Sequence, residues 1–207
     1  MNFKNLFTES SISRMIDHNN KHDIGFISAF RDYDNCGYDE NGNPCPGEDT
    51  PVKLSKKDNI KAQAALASDL RDYGITKVAG VYEEGGKSKK ENTYMVVDIK
   101  DKGTLKKDLM KLGVKYKQDS VLFIPKGAIQ NSRDSVLIST NNCCNNWIGK
   151  KGAIRKTSSG VFGKPNADFE TRVHGRPFYL NLKEQVEFNF GSFSNAMLAS
   201  KWSNEFN

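Results

Sequence analysis

Between Ile24 and Ile124, apolar strand-like runs alternate with amphipathic segments in the order strand, helix, strand, strand, helix, strand. The run Ile24-Gly25-Phe26-Ile27-Ser28-Ala29-Phe30 is nearly continuous in apolar character, the pattern of a strand buried on both faces, and it is the candidate centre of the sheet. Ser55 caps a helix with Asp58 in a capping-box position, Ile60, Ala64, Ala67 and Leu70 form one stripe, and Gly74 ends the helix. The strands Ile75 to Tyr82 and Thr93 to Ile99 flank a charged, glycine-bearing connection and should pair antiparallel. A second helix opens at Thr104, with Leu105, Leu109 and Leu112 inward and Lys106, Lys107 and Lys111 outward. Ser120 to Ile124 completes the set before Pro125. This βαββαβ order, with right-handed crossovers, predicts an α+β fold: a ferredoxin-like sandwich with both helices on one face of an antiparallel sheet.

Elements on either side extend this core. Glu9 to Asn19 carries Ile12, Met15 and Ile16 at helical spacing, so residues 1–22 read as an N-terminal helix and 23–128 as the core. Within the core, Arg31 to Val52 is rich in Asp, Asn, Gly and Pro and reads as a long exposed acidic loop. Residues 129–207 form a C-terminal extension: a strand from Ser135 to Ile138, a polar segment, and a Gly-, Ser- and Lys-rich stretch from Gly149 to Pro165. Strands from Phe169 to Val173 and Pro177 to Leu182 follow, then a terminal helix from Asn195 to Trp202. This tail is expected to pack on the core, over the sheet face that the helices leave open.

Composition bounds the possibilities. At 207 residues, 37% hydrophobic and 27% charged, the chain is ordinarily globular and can bury a substantial core. No apolar run approaches the roughly 18 residues that span a bilayer, and no signal segment opens the chain, so the expectation is a soluble, intracellular protein without a membrane partner. The net charge of +6 is unevenly spread: residues 100–164 hold fourteen basic and four acidic side chains, while 32–49 holds six acidic and no basic ones. Such a basic region attracts polyanions. Lys106, Lys107, Lys111, Lys150, Lys151, Arg155 and Lys156 are the candidate contacts to nucleic acid or an acidic partner, and they would act without sequence preference.

Candidate chemistry is sparse. Cys36, Cys45, Cys143 and Cys144 form two pairs that could be two bridges in a secreted protein, but they lack zinc-ligand spacing and a bridge between the neighbours Cys143 and Cys144 would be strained, so reduced thiols of a cytosolic protein are expected. The alternating Asx residues at Asp32-x-Asp34 and Asp39-x-Asn41-x-Asn43 have the spacing of calcium loops, yet lack the glutamate at the twelfth position; Asx turns are the simpler reading. Neither a metal nor a cofactor is expected. Arg31, Asn59, Glu91 and Gln118 stand at element ends and can form a polar cluster, either orienting an anion or base edge or fastening the loop and helix start by buried hydrogen bonds. His174, between Arg172 and Arg176, is the candidate acid-base group, so an enzyme would draw on Arg31, Glu91 and His174.

The segments Phe26-Ile27-Ser28-Ala29-Phe30-Arg31, Asp58-Asn59, Glu91-Asn92-Thr93-Tyr94 and Lys117-Gln118-Asp119-Ser120-Val121-Leu122 together resemble the uncharacterised DUF3293-like proteins. With Phe162-Gly163-Lys164 and Arg176-Pro177-Phe178, the longer form resembles relatives encoded by tailed bacteriophages. The resemblance implies a phage origin and imports no activity. The expectation is therefore a non-enzymatic phage protein acting by binding, as a virion or assembly component among other phage proteins or on nucleic acid, in the host cytoplasm or the virion. The rival expectation is a small phage enzyme or host-defence antagonist acting on a nucleotide or nucleic acid.

Overall fold

The computed structural model describes residues 10–39, 41–84, 87–129, 134–146, 148–158, 169–173 and 176–182. The elements are α1 (Ser10–Lys21), β1 (Ile24–Ser28), α2 (Lys56–Asp69), β2 (Gly74–Glu84), β3 (Lys87–Val97), α3 (Leu105–Lys115), β4 (Ser120–Ile124), β5 (Asp134–Ser139), β6 (Ile154–Ser158), β7 (Phe169–Val173) and β8 (Arg176–Leu182). The expected terminal helix from Asn195 to Trp202 lies outside the described residues.

The protein is an α+β fold. β1 pairs antiparallel with both β3 and β4, and β2 pairs with β3, so the first four strands take the ferredoxin-like order β4-β1-β3-β2. The C-terminal strands do something the sequence pattern does not announce. Instead of covering the open face, β5 pairs with the free edge of β4 and β7 with that of β2, and β6 and β8 join them, closing the sheet as the barrel β1-β3-β2-β7-β8-β6-β5-β4. Edge strands expose unpaired backbone donors and acceptors, and closure removes both edges at once.

The two faces of the sheet build separate cores. On the outer face, Leu66 of α2, its C-cap Leu70, and Leu105 and Leu109 of α3 pack on Ile27, Tyr94, Val96, Val121, Phe123 and Ile138. On the inner face, Ile24, Phe26, Val78, Met95, Val97, Leu122, Ile124 and Leu137 meet Met15 of α1 and Ile148. The buried Asn19 fixes α1 to the turn after β4, donating from Nδ2 to the Pro125 carbonyl at 2.9 Å and accepting from the Ile129 amide at 3.0 Å.

Two local expectations need correction. The expected α2 stripe of Ile60, Ala64, Ala67 and Leu70 holds only at its C-terminal end: Leu70 is buried and Ala67 packs against the core, whereas Ile60 is 52% exposed and Ala64 is exposed, and Asn59, Gln63 and Leu66 are buried instead. Thr104 makes no side-chain cap bond at α3; its hydroxyl donates to the Asp108 carboxylate at 2.8 Å. Ser55 does cap α2, accepting from the Asp58 amide at 3.1 Å. Ser55→Ala should therefore lower the unfolding free energy by about 1 kcal/mol in denaturant titration, the usual value of such a cap.

The cysteines are also corrected. They form two disulfides, Cys36–Cys143 and Cys45–Cys144, with Cα separations of 5.1 and 5.6 Å. The neighbours Cys143 and Cys144 avoid a strained mutual bridge by each reaching a different partner in the acidic loop. In that loop the Asp39 carboxylate accepts from the amides of Asn41 and Asn43 at 2.9 and 2.8 Å, an Asx-turn arrangement. Among the described residues no group of His, Cys, Asp and Glu is placed to hold a metal ion, and no helix is long and apolar enough to cross a membrane.

Candidate active site

Three of the expected cluster residues, together with Gln63, converge on the backbone that follows β1. Asn59 accepts from the Arg31 amide at 2.8 Å and donates to the Arg31 carbonyl at 2.9 Å. Gln63 accepts from the Ala29 amide at 2.9 Å, and Gln118 donates to the carbonyls of Phe30 and Tyr116 at 3.3 and 3.1 Å. These amides, all buried, satisfy the chain where β1 leaves the sheet. The Arg31 guanidinium turns into the acidic loop, donating to the carbonyls of Tyr33 and Asn35 at 3.3 and 2.7 Å and lying 3.7 Å from Asp119. These contacts fasten loop and strand.

Glu91 stands apart from that cluster. The registers pair Ser28 with Thr93, Phe26 with Met95, and Gly80 with Glu91. Strand alternation therefore places position 91 with 93, 95 and 97 on the inner face of the sheet, one step beyond the end of β1. Arg31 follows Ile27 and Ala29, whose side chains pack on the helix-covered face. Carried around the barrel, the registers put Ser28, Thr93, Ser135, Ser139, Arg155, Thr171 and Arg176 at inner-face positions as well. Apart from Glu84 at the end of β2, position 91 is the acidic one on this face among the described strands.

Two polar features set this inner face apart from a purely apolar core. Ser135 is fully buried and its Oγ has no hydrogen-bond partner among the described residues, an uncommon state for a buried hydroxyl. Arg155, opposite Leu137 in the β5–β6 register, is half-buried, and desolvation pushes its pKa below the usual guanidinium value. In the closed order, β3 and β6 lie four strands apart in either direction, so positions 91 and 155 occupy opposite walls. Eight-stranded barrels are wide enough either to be filled by side chains or to hold one small ligand.

The basic positions divide. Lys106, Lys107 and Lys111 lie exposed on α3, with Lys111 3.5 Å from Asp108, and Lys150, Lys151 and Lys156 are exposed around β6. Arg155 differs, because alternation along β6 takes it to the inner face. His174 lies outside the described residues. A separate cleft of about 330 Å³ opens at the surface between the acidic loop and the segment after β5, lined by Arg31, Asn35, Glu48, Lys117, Asn141 and Lys151 among others.

The family model of the S-adenosylmethionine lyase family matches residues 52–180, well over half of the chain. The chain belongs to the S-adenosylmethionine lyase family. No curated protein matches the chain. The lyase match spans β2 through β7 and most of β8, including Glu91, Ser135 and Arg155, and leaves out Arg31 and the acidic loop. It overturns the resemblance to DUF3293-like proteins and to phage relatives, and it carries no phage link. The non-enzymatic virion or structural reading falls with it, since a lyase family is a family of enzymes.

Proposed function

We propose that this member of the lyase family splits S-adenosylmethionine at its sulfonium, with the barrel lumen as the site. The observation that carries the placement is an acidic position, Glu91, facing the half-buried Arg155 from the opposite wall of a lumen that also holds a hydroxyl, Ser135, without a partner among the described residues. The substrate's amino-acid half is matched to those groups: its ammonium suits a carboxylate, and its carboxylate suits a guanidinium.

The chemistry asks little of the protein beyond orientation. Heterolysis of the bond between sulfur and the γ-carbon sends the electron pair to sulfur, releasing neutral methylthioadenosine. A lyase uses no water, so the γ-carbon is satisfied either by loss of a β-proton, giving an alkene, or by attack of the substrate's own carboxylate, giving a lactone. The charge on sulfur vanishes as the bond breaks, so a carboxylate fixed against sulfur would favour substrate over transition state. Glu91 therefore acts on the amino-acid half, taking the β-proton or holding the ammonium while the ring closes. Arg155 anchors the carboxylate.

Incubating the purified chain with S-adenosylmethionine and separating the products tests this reading. Methylthioadenosine should form faster than in buffer alone, accompanied by a four-carbon amino-acid alkene or lactone. Decay at the buffer rate would refute it.

A further inference from the structure

We propose that the acidic loop, residues 32–49, is a redox-governed strap: oxidised, it is fixed against the barrel, and reduced, it detaches while the barrel stays folded. The inference does not depend on the reaction catalysed. The loop has almost no core of its own. Among its described residues Cys45, 2% exposed, is the buried hydrophobic side chain, and it belongs to one of the bridges. What else holds the loop is polar and largely at the surface: Lys117 donating to the Asp34 carbonyl at 2.7 Å, Asn145 to the Cys36 carbonyl at 2.8 Å, and Arg31 to the Asn35 carbonyl at 2.7 Å. Each such bond competes with water and adds little net stability. The barrel and the two helices, by contrast, have their own apolar cores.

A reductant can reach both bridges. Each joins a buried sulfur, Cys143 or Cys45, to a more accessible one, with Cys36 half-buried and Cys144 exposed. A dithiol supplies two electrons and two protons per bridge, leaving two protein thiols and becoming a cyclic disulfide itself. The surface cleft between Glu48 on the strap and Lys151 beyond β5 would then lose one wall. Both loop cysteines lie ahead of the family-matched segment, and their partners lie within it.

Hydrogen exchange read by mass spectrometry on the full chain, with and without dithiothreitol, tests the strap. In the oxidised protein the amides of Gly37, Asp39 and Cys45, bonded to Asn35, Asn43 and Gly37, should be protected. Reduction should speed exchange across 32–49 by about tenfold or more, while α2, α3 and β1 to β4 keep their protection, and reoxidation should restore the original rates. A double variant, Cys36→Ser with Cys45→Ser, should show the released pattern without any reductant. Unchanged exchange in the loop would overturn the proposal, and so would loss of protection throughout the barrel in either experiment.

Discussion

Glu91→Gln should lower the rate of S-adenosylmethionine cleavage by about 100-fold or more while leaving the thermal midpoint near that of the parent. The register sets the argument: Glu91 pairs with Gly80 beyond the point where β1 stops, at an inner-face position of the sheet. Glutamine keeps the shape and loses both the negative charge and the ability to take a proton. A purely structural glutamate would show the opposite pattern, a fall in stability with the rate per folded molecule preserved. Rate and melting curve measured on the same preparation separate the two, and Glu91→Asp should recover part of the rate.

The second large effect concerns the seam between α3 and the sheet. A Cβ on Gly25 would stand 2.3 Å from Cδ1 of Leu109 and 2.9 Å from the Leu122 carbonyl oxygen, so the helix lies as close to β1 as a glycine permits. Leu109 is fully buried. Gly25→Ala should cost about 1–3 kcal/mol by overpacking, and Leu109→Ala about 2–5 kcal/mol through lost contacts and the cavity left behind. Because each change occupies or vacates the same space, the double variant should be more stable than additivity predicts by about 1 kcal/mol or more. Equilibrium unfolding of the three variants measures that coupling. Strict additivity would mean that α3 does not rest on Gly25.

The βαββαβ order was legible because periodicity is a local signal: the leucines of α3 and the continuous run of β1 each declare their element. The face of α2 was legible only at Ala67 and Leu70. Asn59 and Gln63 are polar residues turned inward, and their reason for being buried is the backbone at residues 29–31, far away in sequence and invisible to any helical pattern. β6 was missed because Ile-Arg-Lys-Thr-Ser presents a lone large apolar residue, Ile154, and that residue is 47% exposed. Barrel closure depends on registers such as Ala79 with Arg172, which only the assembled chain defines. Cysteine pairing was equally hidden, since the bridges join residues 107 and 99 positions apart.

The candidate site was legible in part. Glu91 stood out as a charged residue at a strand start, but its sequence-level companion was Arg31. The structure sends Arg31 into the acidic loop and puts Arg155, first grouped with a basic surface, on the inner wall. No nucleophile turn advertised the chemistry, and this reaction requires none, because the substrate arrives with its leaving group already activated as a sulfonium.

The most direct test of the account asks where S-adenosylmethionine sits. Methyl-labelled Glu91→Gln protein, slow enough to hold substrate, can be titrated while the methyl resonances are followed. Leu122, Met95 and Leu137 report on the lumen, and Leu66, Leu105 and Leu109 on the helix-covered face. Saturable shifts concentrated in Leu122, Met95 and Leu137 are the predicted result. Saturable shifts confined to the outer set, with the lumen methyls unmoved, would contradict the placement of the site inside the barrel.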